Sequence, residues 1–370
     1  MKLYKSFFLF IINILLVYGS KDCENLVKYL KSSQNDSGIT SDCCDTYIIT
    51  CDENNNIKEM NLSNEDIKGS LNEFIGQFPN LEVLNVEYNM FEGDLTIPDN
   101  SKLRELYAYS NKLSGKLTIS ANIEKLDVGN NSFEGNLYIP GNSKLIELDV
   151  SDNKFTGNLK IPNNIQIINA QNNLFEGDLN ISDDSNLVEI NVCNNKFNGT
   201  LTISKNIEEI HIRENSFIGS IRIPENSNLI ELDAGENDFD GKLIISKNIE
   251  YLYVDDNSFE EALVIPENTN LKILDIEGNN FFCYWSYDES FISENCFEDT
   301  LKCTNEQIEE YNKNIDKEPT KEIDDEFDNI CNANEIEDSN KNSESDTKNN
   351  TPDDPNSGPT EDSNTKGQYD

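Results

Sequence analysis

The chain of 370 residues holds a single histidine, His211, and only 29 basic side chains against 70 acidic ones, a formal charge of −41. Each shortage excludes something. With one histidine there is no His or Cys cluster at metal-ligand spacing, and no glycine-rich phosphate loop is present, so neither a metal nor another cofactor is expected. The shortage of cations means that phosphates are repelled at every approach, which argues against nucleic acid as a partner. It favours a cationic partner, a metal ion, or simple colloidal solubility. Long apolar runs are missing after the first 17 residues, so no membrane span is expected. Cysteine is almost absent from the middle of the chain, where Cys193 stands alone.

What is present begins with a short leader. Lys2 and Lys5 precede an apolar stretch from Phe7 to Val17, followed by Gly19 and Ser20. A run this short reads as a cleavable signal peptide over residues 1–20, and export is expected. From the polar C-terminus neither a lipid anchor nor a retention signal is expected. Two even sets of cysteines suit an oxidising compartment. Cys23, Cys43, Cys44 and Cys51 lie at one end, and Cys283, Cys296, Cys303 and Cys331 at the other, as end caps would place them.

Between these sets the chain repeats L-x-x-L-x-V-x-x-N-x-F-x-G-x-L-x-I. Units begin at Leu81, Leu103, Ile123, Leu145, Ile165, Leu187, Ile207, Leu229, Ile249 and Leu271, after a less regular one from Ile57. Lengths of 22 and 20 alternate strictly, so the repeating unit is a 42-residue pair. In Leu145-Ile146-Glu147-Leu148-Asp149-Val150 the period is two: Leu148 and Val150 point inward, and Glu147, Asp149 and Ser151 outward. Each coil therefore donates one short strand to a parallel sheet.

The ninth position is Asn in all ten regular units, from Asn89 to Asn279. A buried amide there must pair with turn backbone in its own and the adjacent coil. Two residues on stands Phe, or Leu113 once, and these should stack as a spine. Gly follows in eight units, from Gly93 to Gly241, and permits a tight bend. Alternation then resumes, giving a second short strand and leaving little room for a helix. The expected fold is a β-rich right-handed solenoid with two parallel sheets, strands about 4.8 Å apart and disulfide end caps. The divisions are 1–20 (leader), 21–56 (N-terminal cap), 57–282 (about eleven coils), 283–331 (C-terminal cap) and 332–370 (a disordered acidic tail). Thr304 and Gln307 form a capping box for a short helix.

Leu145-Ile-Glu-Leu-Asp-Val-Ser-Asp-Asn-Lys-Phe-Thr-Gly-Asn-Leu resembles the extracellular plant-type leucine-rich repeats, the family of polygalacturonase inhibitors and receptor-like ectodomains. Asp42-Cys43-Cys44-Asp45, followed by Thr50-Cys51-Asp52, resembles the family's N-terminal cap. The resemblance implies the pairings Cys23–Cys43 and Cys44–Cys51. The strain of bridging adjacent cysteines agrees with that pairing or with its crossed alternative. These repeats are shorter than the family norm of about 24 residues.

The outward positions of the first strand form three columns on what should be the concave sheet. They hold the candidate binding residues Tyr107, Tyr109, Asp127, Glu147, Asp149, Glu189, His211, Arg213, Asp233, Tyr251, Tyr253 and Asp255. The face is acidic, with tyrosines towards both ends and one basic spot at His211 and Arg213. Its carboxylates could attract a cationic partner or merely keep an open sheet soluble. The tyrosines, with Tyr88 beside them, suit protein or sugar ligands. Cys193 lies one coil from both His211 and Arg213; the first is too far for a dyad, while the second could make the thiol somewhat reactive. No catalytic residue is assigned. Sequons at Asn35, Asn61, Asn130, Asn180, Asn198 and Asn349 permit glycans.

The expected function is therefore that of a secreted recognition scaffold, not an enzyme. It would bind an extracellular protein or wall polysaccharide, cationic at the contact, through the concave sheet. Alternatives are a matrix or adhesion component, or an inhibitor of a secreted glycan-degrading enzyme.

Overall fold

The computed structural model describes residues 20–32, 39–40, 42–286 and 302–314. All of these lie in one compact unit. The leader, Cys296, Cys331, the sequons at Asn35 and Asn349, and the tail lie outside the described residues.

The array is a β-solenoid. Its long sheet has twelve strands, running in order from Ile49–Cys51 through Ile57–Asn61 to Ile273–Asp275. Ile49–Cys51 is antiparallel to its neighbour; the ladder that follows is parallel and in strict register, as in Glu147↔Ile167, Leu148↔Ile168 and Asp149↔Asn169. Each of the regular strands is three residues long because only the L-x-V segment alternates before the chain must turn. Leu106, Leu126, Leu148 and Ile168 fill the core, with Ala108, Val128, Val150 and Ala170 beside them.

The second sheet is divided. One part has seven strands, from Lys68–Ser70 to Lys196–Thr202, and the other has four, from Ile221–Arg222 to Tyr284–Ser286. At the division two backbone bonds still join the coils, Ser216 N–H to Phe197 O and Ile218 N–H to Gly199 O. Among the described residues the regular coils carry no helix, but the longer first unit accommodates one at Leu71–Ile75, capped by Ser70.

The asparagine ladder runs through the ten regular coils. Asn173 Nδ2 donates to Val150 O one coil back (2.9 Å) and to Ala170 O and Gln171 O in its own coil, and its Oδ1 accepts from Phe155 N–H (3.0 Å). One amide thus closes a turn and ties two coils together, which is why a polar group is tolerated there. From Phe133 to Phe281 the rings stack with centroids 5.2–6.3 Å apart. Leu113 separates that stack from the Phe74–Phe91 pair.

Two details differ from the sequence reading. Of the eight glycines, Gly199 and Gly241 do not adopt positive φ, so the bend does not need a left-handed residue there. The residue just before each ladder Asn does: Tyr88, Ser110, Asn130, Asp152, Asn172, Asn194, Glu214, Glu236 and Asp256 all have φ between 49° and 57°.

Both ends are closed. At the N-terminus helix α1 (Lys21–Ser32) buries Cys23, Leu26 and Leu30. Asp22 accepts from Ile57 N–H (3.0 Å) and so ties that helix to the first coil. The disulfides are Cys23–Cys43 and Cys44–Cys51. At the C-terminus Cys283 is bonded to Cys303. The helix Asn305–Asn314 starts with Thr304 and Gln307 bonding reciprocally, and it packs Ile308 and Tyr311 on Ala262.

Candidate functional site

Register places the outward columns side by side on the long sheet. Tyr107 faces Asp127, which faces Asp149, which faces Asn169; Glu105, Lys125, Glu147 and Ile167 run alongside. These residues surround a cavity of about 190 Å³, lined by Tyr107, Lys125, Asp127, Glu147, Asp149, Ile167 and Asn169, with Leu126 and Leu148.

The carboxylates in it are not equivalent. Glu147 is paired with Lys125 Nζ at 2.6 Å. Asp149 accepts three bonds: one oxygen accepts from Ser151 N–H (2.8 Å) and Oγ–H (2.6 Å), the other from Asn169 Nδ2 (2.8 Å). Ser151, expected to face outward, is buried by that arrangement. Asp127 accepts from Gly129 N–H (3.0 Å) alone among the described residues. Burial pushes its pKa up to about 6; the Gly129 N–H opposes the rise, and Asp149 and Glu87 add to it.

Accepting an N–H two residues ahead recurs along the middle column. Asn85, Asn191 and Asp275 do so as well, bonding Glu87, Cys193 and Glu277. These Asx turns end the strand and give the Asp/Asn column a structural role beside any binding role.

The tyrosines divide their work. Tyr109 packs edge-on against Tyr88, centroids 5.5 Å apart. Tyr107 turns to Glu105, donating its hydroxyl at 2.9 Å, and burial with that bond raises its pKa to about 12.

A second group forms towards the other end. Arg213 donates to Asp233, Glu236 and Asp255. It is therefore not a free basic spot: three carboxylates surround it. Its bonds to Asp255 foremost raise an already high pKa. His211 lies 3.9 Å from Glu209. Cys193 is a free thiol but not an activated one. Burial first, then Asp233, lifts its pKa to about 11, outweighing Arg213. Glu189 joins neither group; Tyr253 faces Asp233 across the ladder, and Tyr251 lies under Lys272 Nζ, 5.3 Å from its ring centroid.

Among the described residues, the group of side chains close enough to hold a metal is Cys23, Cys43 and Cys44, whose sulfurs are in disulfides. The sequon residues Asn61, Asn130, Asn180 and Asn198 are exposed. No described helix is long and apolar enough to cross a membrane.

No protein-family profile matches the chain. A 90-residue stretch is 33% identical to phytosulfokine receptor 1 of Arabidopsis thaliana, covering 23% of this chain and 9% of that receptor. A plant ice-binding protein superposes with a TM-score of 0.57 at 19% identity, over 77% of this chain and 97% of its own. The Arabidopsis receptor kinase HAESA, solved with a peptide hormone and a co-receptor, superposes with a TM-score of 0.50 at 21% identity, over 71% of this chain and 54% of its own. Repeat, ladder, caps and superpositions agree that the chain has the leucine-rich-repeat solenoid fold of the plant ectodomains.

Proposed function

We propose that the protein is an exported recognition scaffold whose long sheet binds a peptide or protein presenting cationic side chains. One observation carries the reading. Asp127 sits in a cavity with one backbone donor and no side-chain partner among the described residues, while its neighbour Glu147 is paired with Lys125 and Asp149 accepts three hydrogen bonds. A half-buried carboxylate with spare acceptor capacity is a seat for an ammonium or guanidinium group, and Tyr107 and Ile167 supply wall area for its stem. The ladder on either side offers further rows of acceptors to an extended chain. The leader and the disulfides fit export. A scaffold is favoured over an enzyme because the candidate nucleophile, Cys193, is held protonated and Arg213 is already neutralised. Inhibition of a secreted enzyme is one form this binding could take, with that enzyme as the protein partner.

The test is panning of a random 12-residue peptide library on the full chain. Peptides rich in Lys or Arg should be enriched, release with salt, and lose affinity at least tenfold for Asp127→Asn or Tyr107→Ala. Peptides that bind these variants as well as the parent would remove the long sheet from consideration.

A further inference from the structure

Where a long coil is followed by a short one, the second sheet is laced past the glycine: Leu95 pairs with Leu117 and Thr96 with Thr118, Leu179 with Leu201 and Asn180 with Thr202, and Ile221 with Leu243 and Arg222 with Ile244. The long coil from Ile123 and the short coil from Leu145 lack that lacing. Between Ser132–Asn136 and Lys154–Gly157 the pairing ends at Asn136↔Thr156. Residues 137–139 and 159–161 make no backbone hydrogen bond between coils among the described residues.

The sequence gives a reason. The short coils turn through Ser120, Ser204 and Ser246, but this one has Pro162, directly after a long coil that has Pro140. Proline supplies no N–H and fixes φ, so two adjacent proline turns cannot lace together. Asn122 Nδ2 reaches back to Asp99 O, and Asn206 Nδ2 to Asp183 O; Asn164 Nδ2 bonds Leu145 O instead. The turns separate and leave a cleft of about 500 Å³ lined by Ile139, Gly141, Lys160, Ile161, Pro162, Asn163, Asn164 and Asn186.

The chemistry of this cleft is opposite to that of the long sheet. With 70 acidic residues in the chain, none lines it, and its one charge is Lys160, which has no ion pair within 4 Å among the described residues. The outward column through Lys160 is also free of carboxylates: Thr96, Thr118, Tyr138, Lys160, Asn180 and Thr202. Tyr138, one coil before Lys160, is 71% exposed. Of the two acids in the turn before Asn186, Asp183 is directed at the following coil, where it accepts from Lys205 N–H, and Asp184 is exposed. At physiological salt the rest of the negative charge is screened beyond about 8 Å, so the local lysine decides the sign of the site.

We infer that this cleft is a subsite for an acidic sugar, a uronate residue within a polysaccharide chain. Ile161 and Pro162 offer apolar surface to the C–H face of a pyranose ring, and Tyr138 offers a ring to the next residue along. The side chains of Asn163 and Asn186 present amides to hydroxyls, and Lys160 pairs with the carboxylate. The inference is independent of the long-sheet reading, since the two sites lie on different sheets.

The test compares a tetramer of β-1,4-linked glucuronic acid with cellotetraose, which differs only in having CH₂OH in place of each carboxylate. Titration calorimetry is run on the full chain after endoglycosidase treatment, so that no glycan on Asn180 shields the cleft. The uronate tetramer should bind at least tenfold more tightly than the neutral one, and Lys160→Gln should bring the two within threefold. Gly141→Leu should abolish binding. It is a folding-safe filler, because a Cβ at Gly141 meets nothing within 4 Å. Absence of binding, equal binding of the two tetramers, a preference that survives Lys160→Gln, or binding undiminished in Gly141→Leu would each overturn the inference.

Discussion

Arg213 reaches Asp255 two coils away, making paired hydrogen bonds from Nη1 (2.9 Å) and Nη2, and it does so by crossing over Gly235. A Cβ at Gly235 would collide with the guanidinium and with Asp255 Oδ1. The missing side chain is therefore the path of the ion pair. Gly235→Ala should displace Arg213 and leave Asp233 and Asp255 facing each other with weaker neutralisation. The expected cost is about 1–3 kcal/mol, growing at low salt, as read from urea melts at two ionic strengths. An unchanged midpoint would mean that the pair is a surface contact of no consequence.

The asparagine ladder predicts a second loss. Asn173→Ala removes three donated bonds and one accepted bond at a site only 5% exposed. It leaves Phe155 N–H without its acceptor. Destabilisation of about 1–3 kcal/mol is expected, with the peptide groups of both adjacent coils exchanging hydrogen faster. A variant that melts like its parent would show that water replaces the amide.

Positions of positive φ predict a gain. Glu214 holds φ 57°, a conformation that costs an ordinary L-residue about 1 kcal/mol, and its side chain is in no ion pair with an Arg, Lys or His among the described residues. Glu214→Asn should stabilise by a few tenths to about 1 kcal/mol, and Glu214→Gly by less, because glycine loosens the unfolded chain. Thermal midpoints of the two variants beside the parent decide it.

The repeat was legible because a solenoid writes its fold locally. Leu148 and Val150 alternate with Glu147 and Asp149 within six residues, and the asparagine at Asn153 recurs at one position in each of the ten regular coils. What involves side chains reaching between coils was not legible. Gly235 reads as a gap in a binding column until Arg213 is seen crossing it. Ser151 reads as exposed until Asp149 turns onto it. Arg213 and His211 read as one basic spot, although the carboxylates that neutralise Arg213 lie 20, 23 and 42 residues away. Two features did leave a signal. Asn or Asp fills the eighth position in Asn130, Asp152, Asn172, Asn194 and Asp256, as left-handed backbone favours. Pro162 replaces the serine of its sister coils, which marks the cleft.

Asp127 gives the last prediction, and its sign follows from where protons bind. Its carboxyl titrates at about 6 in the folded chain, against about 3.9 when unfolded. Between those values the folded state holds more protons than the unfolded one, so this group makes stability fall as pH rises from about 4 to about 6. Above pH 6 the penalty is complete, because the ionised carboxylate is partly desolvated and has one donor. Asp127→Asn keeps an acceptor for Gly129 N–H and removes the charge. It should therefore stabilise by about 1 kcal/mol at pH 7, allowing for solvent screening of a site only partly buried, and should match the parent at pH 4. Binding of a cationic peptide should reverse the preference. The ionised form then has a partner, binding between pH 5 and 6.5 should release protons, and affinity should rise with pH across that window. Calorimetry in two buffers of different ionisation enthalpy measures the proton count directly. If binding takes up no protons and releases none in the parent, Asp127 is not the seat of the cation.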